Sequence, residues 1–399
     1  MKILQVISYF PPAYAFGGSP QVAYCISKEL VNNGHEVVVY TTDARDFKSR
    51  FKTRSNENIH GIKVYRFRTF FMYLANKLRL FITPGLILHL KKEREKFDII
   101  HLHEYRTFQN IIVYYYAKKH RIPYVLHSHN SLQATEAWLT VKRLYDVLFG
   151  NALLRNASMV IALGTLEVEQ FKSMGVPDKK IAIIPNGIDL SEFVNPPHPG
   201  SFKSKFNIQG NKRMILYLGR INKYKGLDFL IKATAQLINE RKYDDIMLVI
   251  AGSDDGYLDE IKKQTHLLNL EKNVLFTGEI SETEKISAFV DADVVVNVEP
   301  KNVFGLVPLE AAASSTPVIV SDGNSVKDMV NQGGFGFSVK YNDVPELAET
   351  MRKIIDDDRL GTEMGQKGRE FVFGNLDWAH VIVQLLNIYE AVKRKNDLS

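Results

Sequence analysis

Short apolar runs alternate along this chain with stretches in which apolar positions recur every three or four residues. The first spacing is that of a buried strand, the second that of an amphipathic helix. Over the first 190 residues the pattern predicts strands at 2–8, 35–41, 62–67, 98–103, 123–129, 158–162 and 181–185. Helices are predicted at 21–33, at 78–96 with a break near Pro84, and at 107–119, 139–156 and 166–174. A second series begins at 214–218 and continues with strands at 245–251, 273–276, 292–298, 317–321 and 335–339. Helices are expected from Leu227, after Ser281, from Leu309, over 344–357 and over 378–393. Ser281 and Glu284 have the spacing of a capping box.

Strands alternating with helices imply parallel sheets with crossover helices, so the fold class is α/β. Between the two series lies Asn195-Pro196-Pro197-His198-Pro199-Gly200, whose composition is that of a linker. The expected organisation is therefore a first domain at 1–195, a linker at 196–211 and a second domain at 212–375. A cleft between two such halves is a usual place for a ligand.

Composition adds limits. The 399 residues are 45% hydrophobic and 24% charged, ordinary values for a globular protein. The single cysteine, Cys25, excludes an internal disulfide framework and fits a reducing cytoplasm. No apolar run approaches the roughly eighteen residues of a membrane-spanning helix. The opening MKILQVISYFPP reads as a first strand rather than a signal peptide. The net charge of +6 is uneven: residues 45–96 hold fourteen Lys or Arg against four Asp or Glu, hence +10 there and −4 elsewhere. Phe67, Phe70, Phe71, Tyr73, Leu74, Leu78, Leu80 and Phe81 are interleaved with those cations. Such a stretch suits peripheral contact with an anionic membrane, on its inner face, or with a lipid-linked phosphate. The plainer reading is core residues beneath a solvated basic face. No nucleic-acid-binding motif accompanies the charge, so no nucleic-acid partner is expected.

The sharpest candidate chemistry lies in MILYLGRINKYKGLDFL, where a strand at 214–218 is followed by Gly219-Arg220 and Lys225-Gly226. Open α/β sheets bind ligands at the carboxyl ends of their strands. Arginine brings a planar fork to phosphate oxygens and lysine a mobile point charge, while Gly219 and Gly226 let the backbone come close. These residues read as a clamp for a diphosphate, or else as an ordinary turn with two solvated cations. Gly17 and Gly18 precede a helix start, a place that attracts anions, although the GxGxxG fingerprint is absent and a plain loop is the alternative. His101 and His103, and His127 and His129, lie two residues apart, so each pair faces one side of its strand. Nothing else resembles a metal-ligand set, and no metal is expected.

Taken in order, GHEVVVYT after the Gly17-Gly18 loop, PYVLHSH, IIPNGID, YLGRINKYKG and VFGLVPLEA resemble the retaining GT-B glycosyltransferases of glycosyltransferase family 4. The resemblance implies two Rossmann-like domains facing across a cleft, with the last helix, from about 376–399, crossing back to an acceptor-binding first domain. It implies that Arg220 and Lys225 hold the diphosphate of a nucleotide sugar and that Glu310 binds the ribose hydroxyls. Gly305 and Leu306 would turn backbone amides to the phosphate, with Gly219 and Phe304 completing the donor-binding set. His129, ahead of His127, would lie near the transferred sugar, and Gly17 and Gly18 near phosphate or acceptor.

One position departs from the family. Asn302 stands where the first of two paired glutamates is expected; it can hydrogen-bond a hydroxyl but carries no charge. Glu299, three residues earlier, is a candidate substitute. The implied activity is metal-free, cofactor-free transfer of a sugar with retention, from a nucleotide-sugar donor (UDP-hexose as default) to a glycan or lipid-linked acceptor hydroxyl. A sugar-nucleotide epimerase or phosphorylase of the same fold is an alternative. A non-catalytic sugar-nucleotide-binding protein, motivated by Asn302, is another.

Overall fold

Each apolar run singled out above forms a strand. The computed structural model describes residues 1–13, 18–46, 49–51, 56–70, 81–92, 97–132, 139–240, 243, 245–301 and 304–398. The chain divides into two units, Met1–Gly187 with Trp378–Ser399, and Ile188–Asp377.

In the first unit the described strands are β1 (Lys2–Val6), β2 (Glu36–Thr42), β3 (Asn56–Ile59), β4 (Ile62–Phe67), β5 (Ile99–His103), β6 (Tyr124–His127), β7 (Met159–Ala162) and β8 (Ile181–Ile183). They form one sheet in the order β3-β4-β2-β1-β5-β6-β7-β8. All neighbours are parallel except the hairpin β3–β4. That hairpin turns through His60 and Gly61, both at positive φ, with Asn58 accepting from the Gly61 amide at 2.9 Å. Alternate residues of β1 enter opposite faces: Leu4 and Val6 pack with Val38, Tyr40, Ile100 and Leu102, whereas Ile3 packs with Val37, Val39 and Ile99. The second of these layers is closed by Val381, Ile382, Leu385 and Tyr389 of the helix Trp378–Asp397. Burial of each aliphatic side chain contributes about 1.5–3 kcal/mol.

The second unit holds β9 (Arg213–Leu218), β10 (Ile246–Ala251), β11 (Val274–Gly278), β12 (Val294–Asn297), β13 (Val318–Ser321) and β14 (Gly336–Val339). Its sheet is parallel, in the order β11-β10-β9-β12-β13-β14. The capping box forms as expected: Ser281 accepts from the Glu284 amide while the Glu284 carboxylate accepts from the Ser281 amide.

The break between units differs from the 196–211 linker read from composition. Ile188, Leu190, Phe193, Phe202 and Ile208 are all buried in the second unit, in one cluster with Met214 and Leu216. Lys203 donates its amide to Asp291 at 2.9 Å. Proline and glycine here shape a surface turn, and the crossings fall at Gly187–Ile188 and Asp377–Trp378. The helix Asp358–Asn375 was not anticipated either; its Gly361, Gly365, Gly368 and Gly374 lower helix propensity. Two of them allow close packing instead: a Cβ on Gly365 would lie 2.1 Å from the Ser315 carbonyl oxygen, and one on Gly368 would lie 3.1 Å from the Ala312 Cβ.

The basic stretch at 45–96 is partly structural. Arg66 is buried, bonded to Glu57 at 2.6 Å and to the carbonyls of Phe10 and Pro11. Phe67, Phe81, Leu86 and Leu90 are buried as well. Phe71, Tyr73, Leu74, Leu78 and Leu80 lie outside the described residues. No helix among the described residues is long and apolar enough to cross a membrane.

Gly365→Ala is expected to lower the stability of the second unit by about 1–3 kcal/mol in urea unfolding, the usual cost of overpacking. Gly374→Ala, where a Cβ meets nothing within 4 Å, should be neutral or stabilising. Equal effects of the two would contradict the packing role given to Gly365.

Candidate active site

In the second sheet β9 sits centrally, with β10 on one side and β12 on the other. The chain therefore leaves β9 and β12 in opposite directions, and a crevice opens at their carboxyl ends, the usual ligand position in such sheets. Its floor is backbone. Gly226 has φ +72°, and a Cβ there would lie 2.2 Å from the Val298 carbonyl oxygen. Gly252 comes as near to the Gly219 carbonyl, and Gly323 to that of Pro300.

The charged groups around this floor are paired with one another. Lys225 Nζ lies 2.6 Å from Glu299 Oε1, with both side chains largely buried. Lys285 Nζ lies 3.0 Å from Glu310 Oε1 and 2.6 Å from Glu282. Burial pulls the Lys285 ammonium down, but Glu310 and Glu282 outweigh it, and the net shift is upward. Arg220 contacts Asp255 at 3.1 Å and is two-thirds exposed. Its backbone carbonyl accepts from the Tyr217 hydroxyl at 3.0 Å. Glu310 lies on the helix Leu306–Ala313, whose N-cap is Gly305, with no side chain capping its first amides. A glycine N-cap brings no side chain of its own to those amides, and helix-start amides attract anions. Phe304 packs against the core of this unit.

The fold thus brings Lys225 and Glu299 together and sets Gly219, Arg220, Phe304, Gly305, Leu306 and Glu310 on elements that follow or flank β9 and β12. Gly17 and Asn302 lie outside the described residues. Lys285 was missed; a lysine in an amphipathic helix gives no sign that it reaches Glu310.

In the first unit the corresponding divergence lies between β1 and β5. Gly18 opens the helix Gly18–Asn32, and Ser19 donates to Glu104 at 3.1 Å just past β5. His101 and His103 on β5, His127 on β6 and His129 beyond it form a stack of imidazoles. The His127 and His129 rings are 3.8 Å apart, and those of His101 and His103 are 4.1 Å apart. His129 and Asn130 both have positive φ. Glu167, fully buried, holds this bend by accepting from Ser128 Oγ and the Asn130 amide at 2.6 Å and from the Leu163 amide at 2.7 Å. Burial pushes the Glu167 carboxyl up against those bonds.

Ring nitrogens of His101, His103 and His127 come within 4.8 Å of one another. Their ring planes are 13–27° from parallel, so the lone pairs run side by side rather than toward the single point a tetrahedral ion requires. Burial holds all four imidazoles below their ordinary pKa, His129 at about 3. His129 keeps an edge at the surface, but its ring lies among buried neighbours.

Lowered folded-state values have a definite sign. In the unfolded chain each histidine takes up a proton near pH 6.5. The stability due to keeping the rings neutral is complete above that pH and declines as pH falls toward the folded values. The slope approaches about 1.4 kcal/mol per pH unit for each ring. The urea midpoint of the first unit should therefore be level above pH 7 and fall between pH 6.5 and 5. A level profile over that interval would contradict the buried neutral stack.

Comparison with known proteins bears on the family and the fold. Residues 16–192 match the family model described as Glycosyltransferase Family 4, and residues 201–371 match that of Glycosyl transferases group 1. An uncharacterised glycosyltransferase of Methanocaldococcus jannaschii is 26% identical over 98% of both chains. A glycogen synthase of Mycobacterium tuberculosis is also 26% identical, over 99% of this chain and 95% of its own. Among solved structures, sucrose-phosphate synthase from Thermosynechococcus elongatus is similar with a TM-score of 0.74 and 22% identity, covering 98% of this chain and 99% of its own. Anabaena HepE in complex with UDP has a TM-score of 0.76 at 20% identity, covering 98% of this chain and all of its own. The fold is that of the GT-B glycosyltransferases, and the chain belongs to glycosyltransferase family 4.

Proposed function

We propose that the protein transfers a hexose from a UDP-sugar to an acceptor hydroxyl with retention of anomeric configuration. The observation that carries this reading is the pair of cations, Arg220 and Lys225, beside a glycine-lined backbone floor at the carboxyl ends of β9 and β12. As the bond from the anomeric carbon to the diphosphate breaks, negative charge grows on the leaving oxygen. Arg220, Lys225 and the uncapped amides after Gly305 stabilise it without a metal ion. The acceptor oxygen bonds to the same face of the anomeric carbon, and its proton passes to the departing phosphate. Glu310 accepts from the ribose hydroxyls once it gives up Lys285, and His129 contacts the transferred sugar. UDP-glucose is the donor to try first, supported by the Anabaena HepE complex with that compound. The acceptor is a glycan or glycolipid hydroxyl.

Lys225 is held by Glu299 before any ligand binds. A diphosphate must take over that ammonium, and its larger charge favours the exchange. Glu299 here acts as a holding partner for Lys225, and its contact with the sugar in place of a glutamate at 302 is secondary.

UDP release from UDP-glucose, measured across a panel of acceptors, tests the reading. Arg220→Ala and Lys225→Ala should each slow turnover about a hundredfold. Arg220→Ala should leave the melting temperature nearly unchanged, because its described ion pair is exposed. Full-rate turnover by the double variant would refute the clamp, and sugar interconversion without UDP release would favour an epimerase. Glu299→Gln should bind UDP about three- to tenfold more tightly by calorimetry, a gain of roughly 1 kcal/mol. Weaker binding would assign Glu299 to the ligand instead.

A further inference from the structure

Three imidazoles, one amide and one phenol are joined across the first sheet by hydrogen bonds. His129 Nε2 lies 2.7 Å from His103 Nδ1. His103 Nε2 lies 2.5 Å from Gln5 Oε1. Gln5 Nε2 donates to the Tyr389 hydroxyl at 3.4 Å, and that hydroxyl lies 2.5 Å from His101 Nδ1. His101 and His103 are on β5, Gln5 on β1 and Tyr389 on the helix Trp378–Asp397. Gln5, His101, His103 and Tyr389 are fully buried.

The direction of each bond follows from what the groups can do. An amide oxygen only accepts, so His103 Nε2 carries a proton and donates to Gln5. A neutral imidazole has one N–H, so His103 Nδ1 is bare and accepts. His129 Nε2 must then donate, which leaves His129 Nδ1 without a proton. At the other end, Tyr389 accepts from Gln5 and turns its own hydrogen to His101 Nδ1. His101 therefore holds its proton on Nε2, a nitrogen with no partner among the described residues.

We propose that Tyr389 is a positioning residue: through Gln5 and His103 it fixes the tautomer of His129, so that Nδ1 of His129 is a hydrogen-bond acceptor for a hydroxyl of the bound sugar. The inference rests on the proposed contact of His129 with the transferred sugar. A hydroxyl can accept and donate at once, so Tyr389 satisfies Gln5 and His101 together. Without it the amide would have nowhere to donate on that side. His101 already leaves one N–H without a partner among the described residues, and a second orphaned N–H is less tolerable than an under-satisfied carbonyl. Gln5 would therefore turn over and donate to His103 Nε2. The proton of His103 would move to Nδ1, His129 Nε2 would become the acceptor, and His129 Nδ1 would carry the proton. One phenolic oxygen on the last helix thus decides whether His129 offers a lone pair or a proton.

The test uses the full chain labelled with ¹⁵N in its histidine rings, with the His129 signals assigned by their loss in His129→Gln. Long-range proton–nitrogen correlation distinguishes a protonated ring nitrogen from a bare one. In the wild-type protein His129 should be protonated on Nε2 and bare on Nδ1. Tyr389→Phe should invert this, and should lower kcat with UDP-glucose about tenfold while KM for the donor stays within about twofold. A proton on Nδ1 of wild-type His129 overturns the proposal, whether or not the variant folds. An unchanged tautomer in Tyr389→Phe overturns it, as does an inverted tautomer with an unchanged rate. If wild-type protein shows the expected tautomer but no turnover of UDP-glucose, the donor assignment fails and the chain of bonds stands.

Discussion

Lys225 meets Glu299 because β9 and β12 are neighbours from which the chain departs in opposite directions. Everything proposed for the second unit depends on that adjacency. It lets the turn at Gly226 press against the Val298 carbonyl, and it sets the start of the helix Leu306–Ala313 beside a floor without side chains. The cations around the floor are already engaged: Arg220 by Asp255, Lys225 by Glu299, and Lys285 between Glu282 and Glu310. Separating partly buried partners is costly unless each finds a replacement. Under the proposed function a nucleoside diphosphate would offer one, its phosphate oxygens replacing the acid on Lys225 and its ribose hydroxyls the lysine on Glu310. The resting ion pairs would then favour a ligand carrying both groups.

The first unit solves a similar topological problem with the opposite chemistry. Where its strands diverge it places four neutral imidazoles rather than charges. Desolvation keeps them neutral, and hydrogen bonds to Gln5 and Tyr389 orient His103 and His101. Glu167 adds the backbone constraint by holding Ser128 and Asn130 on either side of His129.

The sheets were legible in the sequence because buried parallel strands are nearly continuous apolar runs, and these are bounded by glycine or polar turns. Arg220 and Lys225 stood out in the sequence because Gly219 and Gly226 adjoin them, whereas Glu310 was named only through the family resemblance. Lys285, Glu167 and Tyr389 were not, since each acts on a group far away in sequence and sits in an ordinary amphipathic pattern. The edge strand β3 was missed because three of the four residues of NENI are polar. The helix Asp358–Asn375 was hidden by glycines that lower helix propensity but let it pack against Ser315 and Ala312. The stretch at 196–211 misled for the converse reason: its prolines mark a turn, whereas Phe202 and Ile208 bury its flanks.

The second unit is continuous in sequence, but the first is not: its core is closed by Val381, Ile382, Leu385 and Tyr389 from the helix Trp378–Asp397. During synthesis the residues of β1 to β8 emerge long before that helix does. Their second apolar layer therefore waits uncovered while Ile188–Asp377 is made and able to fold. Completion of the earlier half is thus deferred until the helix Trp378–Asp397 has been made, and a nascent chain arrested before Trp378 would carry a finished second unit attached to an unsealed first one.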